Sequence, residues 1–224
     1  MHRLLFVLAL CCSFGAVAFA GEKKFTPIDL KAHFNHKPGD KNDDAEGNDL
    51  PLPLGEQAIN GITMEIGERV VQLGCKIVPE RPEKIEGIKV DRKLAKLHIL
   101  HATGFGGGGN TPGTPFYVED GTFIGEYRIN YEDKSSENIA IEYGKDVRDF
   151  WYREDREDEK EVSRAKVVWK GENNLARQYS CRLRLYLTTW TNPKPEQKIV
   201  SIDYLSRKDE TVAAPFCVAM TAEE

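Results

Sequence analysis

Two-residue alternation of apolar and polar side chains recurs from residue 25 to the C-terminus, and no stretch carries a long amphipathic helical pattern. The cleanest case is Arg182-Leu183-Arg184-Leu185-Tyr186-Leu187, which turns Leu183, Leu185 and Leu187 inward. A chain patterned in this way must bury one side of each strand against another layer. About ten such runs at short spacing, with turn chemistry between them, predict an all-β fold, an antiparallel β-sandwich.

The runs can be placed one by one. Residues 25–30, 61–66, 70–73 and 85–90 read as short strands, and residues 94–102 as a central strand that is almost continuously apolar except for Lys96, His98 and His101. Residues 122–131 and 138–143 form a hairpin about the turn at residues 132–136. Residues 165–169, 182–187 and 216–220 are further strands, with Trp169 inside its strand as a core residue. Thr189-Trp190-Thr191-Asn192-Pro193-Lys194-Pro195 leads into the alternating run 199–206 through a stiff corner, because proline fixes its own φ and biases the preceding residue to extended geometry. Leu97, Ile99, Leu183, Leu185, Leu187, Ile202 and Val218 are the expected core.

The first residues belong to export rather than to the fold. Arg3, an apolar stretch from Leu4 and the triplet Ala18-Phe19-Ala20 have the form of a secretory signal peptide over residues 1–20, leaving residues 21–224 as a single β-sandwich domain, secreted to an extracellular or periplasmic space. No later apolar run is long enough to span a bilayer. The net charge of −5, about −6 once Arg3 is removed, argues against nucleic acid as a partner, since that binding rests on Lys and Arg neutralising phosphates. Cys75, Cys181 and Cys217 remain after removal of Cys11 and Cys12; an odd number cannot all pair within one chain, and buried thiols are the expectation.

Six segments in order carry a family resemblance: Asn48-Asp49-Leu50 before Leu52-Pro53-Leu54-Gly55; Leu97-His98-Ile99-Leu100-His101-Ala102; Gly125-Glu126-Tyr127 with Asn130-Tyr131-Glu132-Asp133; Asp149-Phe150-Trp151; Trp190-Thr191-Asn192-Pro193; and residues 202–206. Together they span residues 25–221, and the chain resembles the galactose-binding-domain-like jelly-roll modules of secreted bacterial carbohydrate-active proteins. The resemblance implies a jelly roll of eight or more strands, a carbohydrate-binding role and, in some members, a structural calcium. The turn Asp133-Lys134-Ser135 departs from the pattern, which usually has glycine after the aspartate, and Phe150 stands where a second tryptophan is common.

Candidate ligand-binding residues follow from side-chain chemistry. Asp149, Trp151 and Tyr152 lie where a strand runs into a charged loop; an aromatic face can stack on a sugar ring while a carboxylate accepts its hydroxyls, or Trp151 can cap the sandwich. Trp190 with Asn192 presents the same choice between sugar contact and core plug, and these loops are expected to cluster at one edge. His101 completes the candidate set; His98 and His101 are three apart on a strand and face opposite ways, so they do not share a metal ion. Asp40, Asn42, Asp43 and Asp44 supply hard oxygen ligands in one loop, a calcium site or simply a solvated loop. The expected function is a secreted non-catalytic module that binds a glycan or polysaccharide. A structural or protein-interaction β-sandwich at the cell envelope is the first alternative, and a jelly-roll polysaccharide lyase or hydrolase using His101, Tyr127 or Arg148 is the second.

Overall fold

The computed structural model describes residues 23–107, 113, 115–155 and 162–224. The signal segment 1–20, part of the glycine-rich stretch after Gly107 and residues 156–161 of the charged stretch lie outside the described residues. In chain order the elements are β1 (Phe25–Ile28), β2 (Gly55–Ile59), β3 (Ile62–Ile66), β4 (Val71–Gln72), β5 (Lys84–Arg92), β6 (Lys96–Gly104), β7 (Phe123–Tyr131), β8 (Ser136–Glu142), β9 (Trp151–Tyr152), β10 (Lys166–Gly171), the short helix α1 (Asn174–Gln178), β11 (Arg182–Thr191), β12 (Ile199–Ser206) and β13 (Ala214–Glu223). Strand makes up 49% and helix 4%, the balance of an all-β sandwich.

A seven-stranded sheet runs β1-β13-β6-β11-β10, with β4 added on β13 and β9 on β11; a four-stranded sheet runs β5-β12-β7-β8; β2 and β3 form a separate hairpin. The ladders between these strands are antiparallel, and the β7–β8 pair is the hairpin that the sequence indicates.

Register shows which side chains meet the second sheet. Leu97, Ile99 and His101 of β6 pair with Trp190, Thr188 and Tyr186 of β11, so these six share one face of the large sheet. His101 reaches Tyr127 of β7, with the phenol oxygen 3.2 Å from Nδ1, which identifies this face as the one against the four-stranded sheet. Tyr127 in turn stacks on Tyr204 of β12 at a 4.4 Å ring separation. Leu183, Leu185 and Leu187 therefore lie on the opposite face. They are buried as expected, but by a third layer rather than by the facing sheet. The β2–β3 hairpin contributes to that layer, where Met64 and Ile66 are buried and Thr221 Oγ1 donates to Thr63 O at 2.8 Å.

Burial on both faces explains the apolar character of the central strands. Every residue of β13 is buried, as are the seven interior residues of β6. All seven expected core residues are buried. Trp169 is half-buried and packs on the core from β10. Cys75 and Cys217 are buried thiols, Cys181 is half-buried, and none of the three forms a disulfide.

Candidate functional site

Residues 148–152 are held extended between the end of β6 and the start of β11. Thr103 N donates to Arg148 O, Phe150 N to Thr103 O and Arg184 N to Phe150 O. A bend at Phe150 interrupts strand alternation, and Phe150 and Trp151 turn toward the same cavity. Phe150 packs edge-on against Phe216 at 5.4 Å. Trp151, Asp149 and Phe150 all line a cavity of about 690 Å³, a size common for small-molecule sites.

The cavity wall is aromatic near its mouth. Trp151 and Tyr179 lie 5.8 Å apart with their planes tilted by 38°, and Tyr179 is 62% exposed. Phe105 and Phe116 lie 5.9 Å apart on another part of the wall. Both have left-handed backbones, φ +58° and +66°, a conformation that bulky side chains rarely adopt; such strain is often found where a ligand is clamped.

The polar part of the cavity is built from long-range contacts. Asp149 accepts from Gly107 N at 2.8 Å through one carboxylate oxygen and from Trp151 N at 3.0 Å through the other. A side chain at Gly107 would come within 2.9 Å of that carboxylate, so glycine is required for the approach. Burial raises the Asp149 pKa, against the pull of the two amides. Asn48 Oδ1 accepts from Trp151 Nε1 at 3.0 Å and from Asn173 Nδ2 at 3.2 Å, while Asn48 Nδ2 donates to Asp44. One asparagine thus fixes the indole, the acidic loop and the residue that caps α1.

Arg81 crosses from a distant loop to donate to Asn35 O, His36 Nδ1 and both the main chain and carboxylate of Asp43. Burial, with Arg81 beside it, lowers the His36 pKa against the opposing pull of Asp44 and Asp43. Asp43 also accepts from Lys37 N, and despite partial burial these contacts hold its carboxyl below the usual range.

The sequence candidates divide between this cavity and other places. Asp149 and Trp151 line it, as do Asp43 and Asp44. Tyr152 does not: it turns to the other side of β9, where its ring lies between Arg184 at 4.9 Å and Lys170 at 5.2 Å. Trp190 is half-buried against the core, and its strand partner Leu97 shows that it faces the interior. Asn192 is buried, its side chain engaged by Tyr131, Leu94 and Lys194. The expected clustering of these loops at one edge does not hold. Trp151 pairs with Leu183 at one end of β11 and Trp190 lies seven residues along the strand, about 23 Å away at ordinary strand rise.

His101 is buried between the sheets, its Nε2 2.9 Å from Thr188 Oγ1, and burial lowers its pKa to about 3. It does not line the cavity, and neither do Tyr127 and Arg148; Arg148 forms a bidentate pair with Asp120 at 2.8 and 2.6 Å. In the acidic loop, Asp40 accepts from Asn42 N and its side-chain amide, and Asp44 from Gly39 N, Ala45 N and Asn48. These bonds tie the carboxylates of the loop to its own backbone and side chains. Among the described residues no cluster of three or more His, Cys, Asp or Glu is arranged to hold a metal ion.

Tyr179, Phe105, Phe116, Arg81 and His36 are cavity residues beyond the sequence candidates. Gly107, two residues after Phe105, reaches Asp149 through its backbone amide. No protein-family model, curated protein or solved structure matches the chain.

Proposed function

We propose that this protein is an exported, non-catalytic carbohydrate-binding β-sandwich whose site is the cavity formed by Trp151, Tyr179 and Asp149. The observation that carries this reading is one half-exposed pair of aromatic rings set beside a fixed carboxylate and amide. Sugar rings offer C–H faces for stacking and hydroxyls for directional hydrogen bonds, so they suit a wall of this composition. Asn48 supports the reading by fixing the indole plane before a ligand arrives, which lowers the ordering cost of binding. The two rings come from separate elements, β9 and the end of α1, yet they line one cavity.

The test is a glycan array, run with and without calcium, on the wild type and Tyr179→Ala. Tyr179 is largely exposed, so its truncation leaves the fold intact, with a stability change within about 0.5 kcal/mol. The expected result is glycan binding by the wild type that Tyr179→Ala weakens. A wild type that binds no glycan leaves the structural or protein-interaction reading, while binding untouched by Tyr179→Ala and Trp151→Ala rejects this cavity as the site.

A further inference from the structure

The charge on the cavity wall is unbalanced. Asp43, Asp44, Glu80 and Asp149 line it against two cationic side chains, Arg81 and Arg153. Arg81 is engaged by Asp43 and the main-chain oxygens beside it, and Arg153 forms a bidentate pair with Asp155. His36, facing Asp44 at 3.7 Å, is kept neutral by burial and so adds no compensating charge near pH 7. The carboxylate of Asp149 accepts from two backbone amides, and Arg184, whose Nε donates to the Asp149 main-chain oxygen at 3.1 Å, favours its charged form from one side only. A carboxylate enclosed in this way gains most from a cation delivered by a ligand. The adjoining aromatic faces attract the same charge, because the face of an indole or phenol ring is its negative pole.

We propose that the cavity selects a ligand carrying a primary ammonium group: an amino sugar with a free amine, its charge against Asp149 and its ring on Trp151 and Tyr179. This rests on the carbohydrate reading of the same cavity and adds the charge class of the ligand. A uronate or sulfated sugar meets the opposite electrostatics and is disfavoured. A neutral sugar keeps the stacking and loses the charge contact.

Isothermal titration of the full mature chain at pH 6 tests this with four probes: glucosamine oligomers, their N-acetylated counterparts, uronic-acid oligomers and cyclohexylammonium, an amine without hydroxyls. Glucosamine oligomers are expected to bind at least about tenfold tighter than the N-acetylated ones, the equivalent of one charge-assisted contact. Asp149→Asn should remove most of that preference. Because Asp149 also supports the local fold, Glu80→Gln at an exposed position serves as a second variant and should reduce the preference about twofold to threefold. Raising the salt should weaken glucosamine binding and leave N-acetylated binding unchanged. Equal affinity for the two oligomers, or preference for uronate, overturns the charge inference and leaves the carbohydrate reading standing. Binding of cyclohexylammonium that depends on Asp149, without any sugar binding, supports the charge inference and overturns the carbohydrate reading. Absence of binding by all four probes overturns both.

Discussion

Asn192→Ala should be among the more destabilising single substitutions in this protein. The Asn192 side chain accepts from Tyr131 Oη at 2.6 Å and from Lys194 N at 2.9 Å, and donates to Leu94 O at 2.9 Å and Lys194 O at 3.2 Å. It joins the corner after β11 to β7 of the facing sheet and to the turn before β6. Alanine leaves Tyr131 Oη and Leu94 O without partners in the interior, while the Lys194 groups can turn to water. Each buried polar group so orphaned costs about 1–3 kcal/mol, so two of them predict a loss of roughly 3–4 kcal/mol. Tyr131→Phe removes the hydroxyl but leaves Asn192 Oδ1 its bond to Lys194 N, and should cost about 1 kcal/mol. Urea unfolding of both single variants and the double variant is the assay. The double variant should be more stable than the sum of the singles predicts by about 1–2 kcal/mol, because phenylalanine removes one of the two orphans. A cost for Asn192→Ala below about 1 kcal/mol, or strict additivity, would refute this account and return Asn192 to the list of ligand candidates.

Three further predictions concern pH, the turn and the acidic loop. His101 has a folded-state pKa near 3 against 6.5 when unfolded, so the unfolded state binds the proton first and stability falls as pH drops from about 6.5 toward 3. At about 1.4 kcal/mol per pH unit, His101 accounts for roughly 2 kcal/mol lost between pH 6.5 and 5; urea melts of His101→Gln should show a flatter acid limb, and an unchanged limb contradicts the assignment. Lys134→Gly should stabilise the protein by about 1 kcal/mol, since Lys134 occupies the left-handed region at φ +69°; a loss in thermal melts counts against a strained turn. Chelator and millimolar calcium should give equal melting curves, since Asp43 and Asp44 already bond to amides and Arg81, and a lower melting temperature in chelator would place calcium in the loop.

The fold was legible because alternation is a local signal. β11, β12 and the β7–β8 hairpin can be read residue by residue, and the nearly continuous apolar run of β6 marks it as a central strand. The third layer was not legible, because β2 carries Glu56 and Gln57 where a strand signal would need apolar residues. Lys134 takes the left-handed backbone at the β7–β8 turn, a conformation that glycine adopts more readily and that the lysine itself does not signal.

The site was half legible. Asp149 and Trp151 stand out because an aromatic and a carboxylate adjoin at a strand end. Trp190 and Asn192 carry the same local chemistry, yet they belong to the far end of β11, and local chemistry does not reveal which strand ends meet. Tyr179 follows α1 and Arg81 lies 45 residues from His36; only tertiary packing brings them to the cavity wall.

The central claim, that the cavity beside Trp151 binds carbohydrate, is tested most directly by titrating labelled protein with the glycan that scores best on the array and following the three tryptophan indole N–H resonances by NMR. The Trp151 indole signal, with the amides of Gly107 and Tyr179, should shift together and saturate with one affinity, while the Trp169 and Trp190 indoles stay in place. Saturable shifts at Trp190 with Trp151 unmoved would put the site at the other end of β11 and contradict the account.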